Sequence, residues 1–558
     1  MRQTGRRLWG MAVLLALLSA AGCTQEDGSH VRLTGDPDAL DLRPVTLTYF
    51  HFGQGRRDAL LSETIIGKRL LAETGVDFRL QYLTGDSATK AGVMVASGDY
   101  PDVISSSGEM AQLLDAGAYI PLDELIAWHG PNIERVYSPY YDQMRAEDGK
   151  LYTLPFTAHQ GYTPDAEIRG GAFYIQRSVL REFGYPRIRT LDEYVELIRQ
   201  YRDRYPVVDG KPTVGFVIPA GMTNSFYTLQ NPAMHLDGYP NDGPVMIDMQ
   251  TLEAKLVAGT GQQKRWLQKL NEMHALGLFD PESFTLNKDQ YLNKLTSGNV
   301  LGYFSYQWQI AEADKQLKAA GVDDKRYAPL PLVFDEGTRD QYVDPPGFVN
   351  NYGIGISVKA EDPVRIIRYF DHLLKEESQI LVSWGIEGET YSVDAQGRFY
   401  YTDEQIRYHE DPELSRSYGF AYFDTDWPRY GINSVLADGN AYYPGNQPEV
   451  YNKLYTEGDR RILDAYGAST FTGYFSEPLA RPWFPAWSIP LPLDSRAEVF
   501  LSRAEELQRR ELPRLILEPP DAFEPLWDAY AGELAALDKR IYEETMTRAV
   551  RQRAAGRG

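Results

Sequence analysis

The stretch "VTLTYFHFGQGRRDALLSETIIGKRLLAETGVDFRLQYL", residues 45–83, indicates the fold class of this protein. Its first eight residues are rich in β-branched and aromatic side chains and predict a strand. Apolar residues then recur at helical spacing up to Gly75, a typical C-terminal stop for a helix, and a second strand follows at once. The order strand, helix, strand predicts a parallel βαβ unit within an α/β protein.

Two later segments predict helices that pack on the globular part of the chain. Thr190 and Glu193 have the spacing of a capping box, and the residues after them place apolar side chains on one broad helix face. Residues 523–553 are charged and amphipathic, with an apolar stripe at helical spacing. Both segments are therefore expected to be scaffold.

The first 22 residues have the pattern of a secretory signal. Arginines precede an apolar run of about 11 residues, which is too short for a membrane span of about 20. Small residues at 20–22 stand directly before Cys23, the only cysteine in the chain. This arrangement is similar to the bacterial lipobox and predicts that Cys23 is acylated after cleavage. The alternative is an ordinary signal peptide with an incidental cysteine.

Residues 23–44 are polar and rich in Gly, Asp and Pro, which predicts a flexible tether. With a lipid on Cys23, this tether would hold the globular part at the extracytoplasmic face of the cell membrane. The net charge of −21 repels nucleic acid and anionic lipid headgroups. At about 100–200 residues per domain, the length of 558 residues predicts two or more domains.

Catalytic signatures are absent from the sequence, which contains no Walker A loop, H-E-x-x-H, G-x-S-x-G or cysteine pair. The eight histidines are scattered, with no pair at metal-ligand spacing. Glu387 and Glu389 are two residues apart and are the candidate carboxylate pair of a glycoside hydrolase. The sequence therefore favours a binding function over an enzyme.

Aromatic residues are abundant, with 38 Tyr, 22 Phe and 9 Trp. Many stand in stretches rich in Gly, Pro, Asn or Gln, such as "GYFSYQWQIAEA" and "RPWFPAWSIP". Flat rings stack on the apolar faces of sugars, while neighbouring amides and carboxylates bind hydroxyl groups. A carbohydrate-binding cleft would use both, and the alternative is that the rings fill large cores.

Five stretches together resemble one known family. They are "VMVASGDYPDVISSSGEMAQLLDAGAYIPLDELI" (93–126), "DGKLYTLPF" (148–156), "FYIQRSVLREFGYPRIRTLDEYVELI" (173–198), "LTSGNVLGYFSYQWQIAEA" (295–313) and "NNYGIGISVKAEDPVRIIRYFDHLLKEESQILVSWGIEGETYSVD" (350–394). In this order, over about 45–551, the chain is similar to the extracellular solute-binding proteins of bacterial ABC sugar importers. The resemblance is strongest to the long lipoprotein branch of aldouronate or oligosaccharide binders.

The resemblance implies a two-lobed fold of the periplasmic-binding-protein (Venus flytrap) type, with the ligand in a cleft between α/β lobes joined by crossover strands. By this analogy the first lobe comprises 45–155 plus 341–395, and the second comprises 156–340 plus 396–558. The lobes would close on a ligand by a hinge motion, and ABC transporter permease subunits would recognise the closed form. A monomer is expected.

The resemblance also implies binding positions where the local motifs align. Asp102 is the least certain of these, because it is equally placed to cap the turn that follows its strand. The implied ligand-binding residues are Gln54, Arg57, Asp102, Ser105, Tyr152, Phe156, Phe226, Tyr227, Tyr306, Trp308, Trp384, Glu387, Trp427 and Trp487.

One departure from the family concerns metal. Relatives carry an acidic loop after the "TLDEY" helix that binds Ca²⁺ through oxygen ligands. Here the loop reads "RDRYPVVDGKPTVGF", residues 202–216, and keeps only Asp203 and Asp209 as carboxylates. We therefore expect no metal and no cofactor.

Three functional hypotheses follow. In the leading one, the chain is a lipid-anchored receptor that delivers an oligosaccharide to an ABC permease. The second is a surface glycoside hydrolase or lyase, and the third is a sensor or adhesion lipoprotein on the same binding fold. The sequence does not separate the first from the third.

Overall fold

The computed structural model describes residues 41–53, 56–106, 108–222, 224–424 and 426–556. The predictions for Cys23 and Gln54 lie outside these residues. Within the described part, no helix is both long enough and apolar enough to cross a membrane.

The strands in chain order are β1 (Val45–His51), β2 (Ala59–Leu60), β3 (Val76–Tyr82), β4 (Val103–Ser106), β5 (Thr153–Leu154), β6 (Gly171–Gln176), β7 (Val207–Val208), β8 (Lys211–Pro212), β9 (Val214–Val217), β10 (Val245–Ile247), β11 (Ala254–Leu256), β12 (Val300–Tyr306), β13 (Tyr327–Leu330), β14 (Gly353–Ile356), β15 (Ser392–Val393) and β16 (Phe399–Tyr400).

The α-helices in chain order are α1 (Ile65–Thr74), α2 (Ser87–Ser97), α3 (Met110–Asp115), α4 (Asp123–His129), α5 (Pro131–Tyr137), α6 (Tyr141–Met144), α7 (Arg177–Glu182), α8 (Leu191–Arg204), α9 (Tyr227–Gln230), α10 (Pro232–Leu236), α11 (Gly261–Ala275), α12 (Lys288–Thr296), α13 (Gln307–Ala319), α14 (Pro363–Leu373), α15 (Glu376–Ser383), α16 (Asp403–Glu410), α17 (Pro412–Tyr418), α18 (Phe420–Phe423), α19 (Pro448–Leu454), α20 (Glu457–Tyr466), α21 (Arg496–Leu517), α22 (Phe523–Ala535) and α23 (Arg540–Ala555).

The first sheet has the order β2-β3-β1-β4-β14-β5 and contains the predicted βαβ unit. β1 pairs in parallel with β3, and α1 connects them. The helix begins at Ile65 because the Thr64 hydroxyl accepts a hydrogen bond from the Gly67 amide at 3.0 Å. It ends at Gly75, whose φ of 70° is a left-handed conformation that suits glycine. The βαβ prediction is confirmed.

The second sheet has the order β13-β6-β12-β9 and is enclosed by helices. β12 runs parallel to β9 and antiparallel to β6, and β6 also pairs with β13. The predicted capping box on α8 is present, since Thr190 and Glu193 each bond the other's backbone amide. The C-terminal segment forms α22 and α23 rather than one helix, with a break at Asp538, whose φ is 55°.

The hydrophobic cores divide the chain differently from the expected lobes. One core joins buried residues between 168 and 342 with others between 455 and 550. The segment between them packs on the first sheet, where the Trp427 ring centroid lies 5.0 Å from that of Tyr49 in β1. The expected placement of this segment, 396–447, in the second lobe is therefore corrected, because its Trp427 is buried against β1, β3 and α14.

A buried ion network attaches α20 to the second sheet. Arg177 is bonded to Asp459 and donates to Asp323 Oδ1 at 2.8 Å. Arg326 Nη1 donates to the other Asp459 oxygen at 3.1 Å. Burial disfavours the charged form of Asp459, but the two guanidinium groups outweigh it and lower its pKa. The C-terminal part is thus held by paired charges as well as by apolar packing.

Candidate ligand-binding site

Each crossover leaves the carboxyl end of a strand in one sheet and enters an antiparallel strand of the other sheet, whose amino end lies beside the carboxyl ends of its neighbours. The outgoing crossover, residues 155–170, leaves β5 and enters β6 opposite Tyr306 at the end of β12. The return crossover, residues 331–352, leaves the end of β13 and enters β14 opposite Ser106 at the end of β4. Ligands of open α/β sheets bind outside the carboxyl ends of the strands. The topology therefore turns the ligand-binding ends of both sheets toward the same connecting segments.

His51 holds a carboxylate at the carboxyl end of the first sheet. The Gly53 amide donates to His51 Nδ1 at 2.7 Å, so Nε2 carries the proton in the neutral ring and donates it to Asp426 Oδ2. Tyr49 Oη donates to the backbone oxygen of Asp426 at 2.5 Å. These contacts fix Asp426, which has a left-handed φ of 65° and stays partly exposed.

A second ion pair lies beside it. Arg56 Nη2 donates to Asp424 Oδ1 at 2.5 Å, and its guanidinium carbon lies 5.9 Å from the centroid of the Tyr82 ring at the end of β3. Burial raises the pKa of Tyr82, which keeps its hydroxyl protonated. We name Arg56, Tyr82, Asp424 and Asp426 the first-sheet polar cluster. It presents donors and acceptors suited to hydroxyl groups.

Aromatic rings and amides cover the facing end of the second sheet. The Tyr227 and Tyr306 rings meet edge to face with centroids 5.1 Å apart. Asn231 Nδ2 donates to Tyr306 Oη at 2.6 Å, and Gln309 Nε2 donates to Tyr227 Oη at 3.4 Å. Tyr227 remains partly exposed, whereas Tyr306 is buried beneath it.

Trp308 is the most exposed ring at this end. It is the second residue of α13, which begins directly after β12, and 61% of it is solvent-accessible. The free face of this ring is available for stacking on the apolar face of a ligand. Tyr227 and Trp308 both have accessible rings near the carboxyl end of β12.

Trp487 lies on a loop that is anchored through the carboxylate of Asp242. Asp242 accepts hydrogen bonds from the Ala486 amide at 3.0 Å and from Trp483 Nε1 at 3.2 Å. Gly243 lies so close to Trp487 that a Cβ on the glycine would be 2.7 Å from the Trp487 Cβ. The Trp487 side chain is 37% exposed.

Asp344, in the return crossover, adds a carboxylate to this group. Arg481 Nη2 donates to Asp344 Oδ1 at 2.5 Å, and the other oxygen faces Gly170 at the start of β6. Burial raises the pKa of Asp344 to about 6 despite the guanidinium of Arg481. Asp344 is therefore placed to exchange between acceptor and donor near neutral pH.

The outgoing crossover carries a further stacked pair. The Arg169 guanidinium carbon lies 4.4 Å from the Tyr443 ring centroid, and Arg169 Nε donates to Asp165 Oδ1 at 2.7 Å. Asn446 Nδ2 donates to the same carboxylate oxygen at 3.0 Å. Tyr443 is 36% exposed.

Two predicted tryptophans are core residues. Trp384 is fully buried among Phe399 and Tyr401, and its Nε1 donates to the Ala441 oxygen at 3.0 Å. Trp427 is 2% exposed, and its Nε1 donates to the Tyr422 oxygen at 2.9 Å. Neither ring has a free face, so the prediction that they stack on a ligand is corrected.

Phe156 and Phe226 are buried as well. The Phe156 ring stacks on Tyr352 with centroids 5.3 Å apart, and the Arg509 guanidinium lies 4.6 Å from the centroid of Phe226. Tyr152 is partly exposed, and its hydroxyl donates to Asp148 Oδ2 at 2.8 Å. These rings support the strand ends instead of presenting a face to a ligand.

Asp102 and Ser105 have structural positions on β4. Both Asp102 oxygens are occupied, since Thr48 donates to Oδ2 from its amide and hydroxyl, and the Glu361 amide donates to Oδ1 at 2.8 Å. Ser105 is buried between β1 and β14. Asp102 precedes β4, and its partners Thr48 and Glu361 lie outside the turn that follows the strand, so the turn-capping alternative is wrong as well as the ligand-binding one.

Arg57 and Glu387 are both exposed at the surface. Glu389, the other half of the candidate catalytic pair, accepts a hydrogen bond from the Tyr418 hydroxyl. Neither Glu387 nor Glu389 contacts the clusters described above. The carboxylates that the structure brings to the strand ends are Asp344, Asp424 and Asp426.

The loop expected to lack calcium forms the β7–β8 hairpin. Asp209 pairs with Lys325, and Asp203 Oδ2 accepts from Arg199 Nη1 at 3.0 Å. Each of the two loop carboxylates is therefore already neutralised by a cation. Across the described ranges, no group of three or more His, Cys, Asp or Glu side chains is arranged to hold a metal ion.

Several residues of the candidate site were not predicted from the sequence. His51 and Arg56 stand within three residues of the predicted ligand-binding residues Gln54 and Arg57, which was a signal in the sequence for their role. Asp344, Asp424 and Asn231 stand in irregular or short helical segments far from any recognised motif, and only the folded chain brings them to the strand ends.

The family profile of bacterial extracellular solute-binding proteins matches residues 63–380, more than half of the chain. The protein belongs to this family. Members are non-enzymatic carriers, which excludes the hydrolase hypothesis. A curated relative, the fructooligosaccharide ABC transporter substrate-binding protein FusA of Streptococcus pneumoniae, is 23% identical over 254 residues. That match covers 44% of this chain and about half, 47%, of the relative.

Solved structures of similar proteins extend over nearly the whole chain. FusA of S. pneumoniae, as an EF-hand mutant in complex with fructo-nystose, superposes with a TM-score of 0.65 at 16% identity, covering 92% of this chain and 100% of that one. The alginate-binding protein AlgQ2 without calcium ion gives 0.63 at 16%, covering 92% and 99%. A solute-binding protein associated with a human-milk-oligosaccharide ABC transporter of Bifidobacterium longum infantis gives 0.63 at 15%, covering 91% and 99%.

These likenesses establish the fold. The chain has the mixed α/β, two-lobed architecture of periplasmic solute-binding proteins, as the resemblance in its sequence implied. As a member of an extracellular family, the protein is extracytoplasmic.

Proposed function

We propose that this solute-binding protein captures an oligosaccharide between the carboxyl ends of its two sheets. The observation that carries the proposal is the exposed ring of Trp308, the second residue of α13, at the carboxyl end of β12 where the Tyr227 ring packs on Tyr306. Stacking of a sugar on each such ring would contribute about 0.5–1.5 kcal/mol beyond the burial of its area.

Hydroxyl recognition falls to the charged groups. Asp344 and the first-sheet polar cluster offer carboxylate oxygens and guanidinium hydrogens at fixed positions. Such groups, combined with aromatic walls, are the usual composition of a carbohydrate site. From the sequence-derived set we retain Arg57, Tyr227, Tyr306, Trp308 and Trp487, of which Tyr306 acts as a support for Tyr227.

The names of similar proteins support a sugar ligand. The curated relative is named for fructooligosaccharide, and one solved structure contains kestose. Because these relatives share under a quarter of their residues with this chain, they suggest a class of ligand and not its identity.

We further propose that the lobes move as hinged bodies. The packing supports a first lobe of 45–155 plus 353–442 and a second lobe of 168–342 plus 448–556, with the segments between them as the hinge. Closure over an oligosaccharide would bring the first-sheet polar cluster toward Trp308.

The remaining parts of the proposal are the anchor and the partner. Acylated Cys23 would tether the lobes to the membrane, and ABC permease subunits would receive the oligosaccharide from the closed form. Incorporation of an alkyne palmitate analogue into the full-length chain, and its loss in Cys23→Ser, tests the anchor.

Thermal melting of the soluble fragment 24–558 with a panel of oligosaccharides, kestose included, tests the central claim. A ligand with a micromolar Kd at millimolar concentration raises the unfolding free energy by about 4 kcal/mol and the midpoint by several degrees. Chromatography afterwards should recover the sugar intact, and a cleaved sugar would contradict the carrier role.

A matched pair of tryptophans supplies the control. Trp308 and Trp128 are equally exposed, at 61%, but Trp128 lies on α4, away from the strand ends. Trp308→Ala should weaken binding about tenfold and so lower the sugar-induced shift by about a third, while Trp128→Ala should leave the shift unchanged. Equal loss in both variants would refute the placement of the site.

A further inference from the structure

The last turn of α23 is joined to the loop that carries Trp487. Arg553 Nη1 donates to the Pro485 oxygen at 2.8 Å and to Ser488 Oγ at 3.0 Å. These two residues flank Ala486 and Trp487, so the guanidinium holds the loop on both sides of the ring. Ser488 is fully buried, which makes this contact difficult for water to replace.

The same guanidinium reaches the hinge. Arg553 Nη2 donates to Asn350 Oδ1 at 2.8 Å, and Asn350 lies in the return crossover, three residues before β14. Asn350 Nδ2 in turn donates to the backbone oxygen of Gln143 in α6, a helix of the proposed first lobe. One planar fork thus connects the Trp487 loop, the crossover and a helix of the first lobe.

Arginine suits this task better than lysine. Its donors point in fixed directions, so one side chain can bind two carbonyl-type acceptors and a hydroxyl at once. Asn350 thus links the crossover to Arg553 on one side and to Gln143 on the other. While these contacts persist, movement of the crossover is transmitted through Arg553 to the loop that bears Trp487.

We infer that Arg553 is a positioning residue that couples the hinge to Trp487, so that the C-terminal helix sets ligand affinity without contacting the ligand. The coupling to affinity rests on the proposed function, but the positioning of Trp487 does not. Arg548 on the same helix is the matched control, because it is exposed and no described residue bonds to its side chain.

The first test needs no ligand. The 24–558 fragment is labelled with 5-fluorotryptophan, and the Trp487 signal among its eight tryptophans is assigned with Trp487→Phe. In Arg553→Ala the ¹⁹F resonance of Trp487 should shift or broaden while that of Trp384 stays unchanged, and Arg548→Ala should alter neither. An unchanged Trp487 resonance in Arg553→Ala would overturn the inference.

The second test is a double-mutant cycle on the Kd of the panel sugar that gives the largest thermal shift. Arg553→Ala should raise Kd about fivefold, and the effect should vanish in a Trp487→Ala background. An equal effect in both backgrounds would show that Arg553 does not act through Trp487 and would contradict the inference.

Two further variants guard against misfolding. If Arg553→Ala lowers the melting temperature strongly, Arg553→Lys and Asn350→Ala replace it, since each removes only some of the hydrogen bonds of Arg553. If no sugar in the panel binds, the proposed function fails, while the ¹⁹F comparison still decides whether Arg553 positions Trp487.

Discussion

Trp308 and Trp427 are the same side chain in opposite environments. Trp308 is 61% exposed at the start of α13, whereas Trp427 is 2% exposed and touches Tyr49 and Phe78. In sequence both stand in aromatic stretches beside polar residues, and both were expected to contact a ligand. The difference teaches that an aromatic-rich stretch identifies where rings cluster but not whether a ring face remains free.

The comparison also separates affinity from stability. A ring with a free face contributes to binding and little to folding, while an enclosed ring contributes to folding and only indirectly to binding. Substitutions at the two kinds of position should therefore give opposite profiles.

Trp427→Ala should have the largest effect. Removal of the indole leaves a cavity between β1, β3 and α14, and the free energy of unfolding should fall by about 3–5 kcal/mol. Urea unfolding followed by circular dichroism measures this, with Trp128→Ala as a control that should change by less than about 0.5 kcal/mol. A loss below about 1 kcal/mol would contradict the assignment of Trp427 to the core.

Asp459→Asn should follow, at about 3 kcal/mol, because it leaves the buried guanidinium groups of Arg177 and Arg326 without their shared carboxylate. The same urea titration applies. Asp335→Asn is the control, since its ion pair with Arg265 is exposed and should contribute less than about 1 kcal/mol. Equal effects at the two sites would indicate that the network is not buried in solution.

Trp308→Phe tests how much of the binding depends on the area of the exposed ring. A phenyl ring keeps stacking but loses area, so Kd for the panel sugar should rise about threefold, against about tenfold for Trp308→Ala. Isothermal titration calorimetry gives both values, and the free protein should melt within about 1 °C of the wild type. A large drop in melting temperature would mean that Trp308 is part of the core.

Asp344 predicts a pH dependence of opposite sign to that of an ordinary paired carboxylate. Its pKa rises from 3.8 to about 6 in the folded state, so the folded chain binds the proton more tightly than the unfolded one. The contribution to stability is complete below about pH 4 and is lost as the pH rises through about 6. Relative to Asp344→Asn, the wild type should lose about 2 kcal/mol between pH 4 and pH 6.5. A parallel pH profile for the two proteins would contradict this.

The smallest effect concerns metal. Because Lys325 and Arg199 neutralise the loop carboxylates Asp209 and Asp203, EDTA or millimolar Ca²⁺ should change the melting temperature by less than about 1 °C. A calcium-dependent rise of several degrees would show that the loop binds the ion after all.

The sequence was sufficient for the features that depend on neighbours in the chain. The βαβ unit follows from residues 45–83, and the α8 capping box follows from Thr190 and Glu193, because strand, helix and cap signals are local. The family resemblance led to the correct two-lobed fold. The C-terminal helix was expected to be continuous, but Asp538 breaks it in a turn that the apolar spacing did not reveal.

Contacts between distant segments decided the rest. Residues 396–447 pack on the first sheet because Trp427 is buried against Tyr49 and Phe78, and no local pattern specifies such a partner. For the same reason Asp102 became a structural acceptor, while Asp344 and Asp424 came to the strand ends. Periodicity and capping residues determine local helices and strands, and both can be read from the sequence. Whether a given ring or carboxylate is buried depends on the distant segment that packs against it, and only the tertiary structure of this protein determined those contacts.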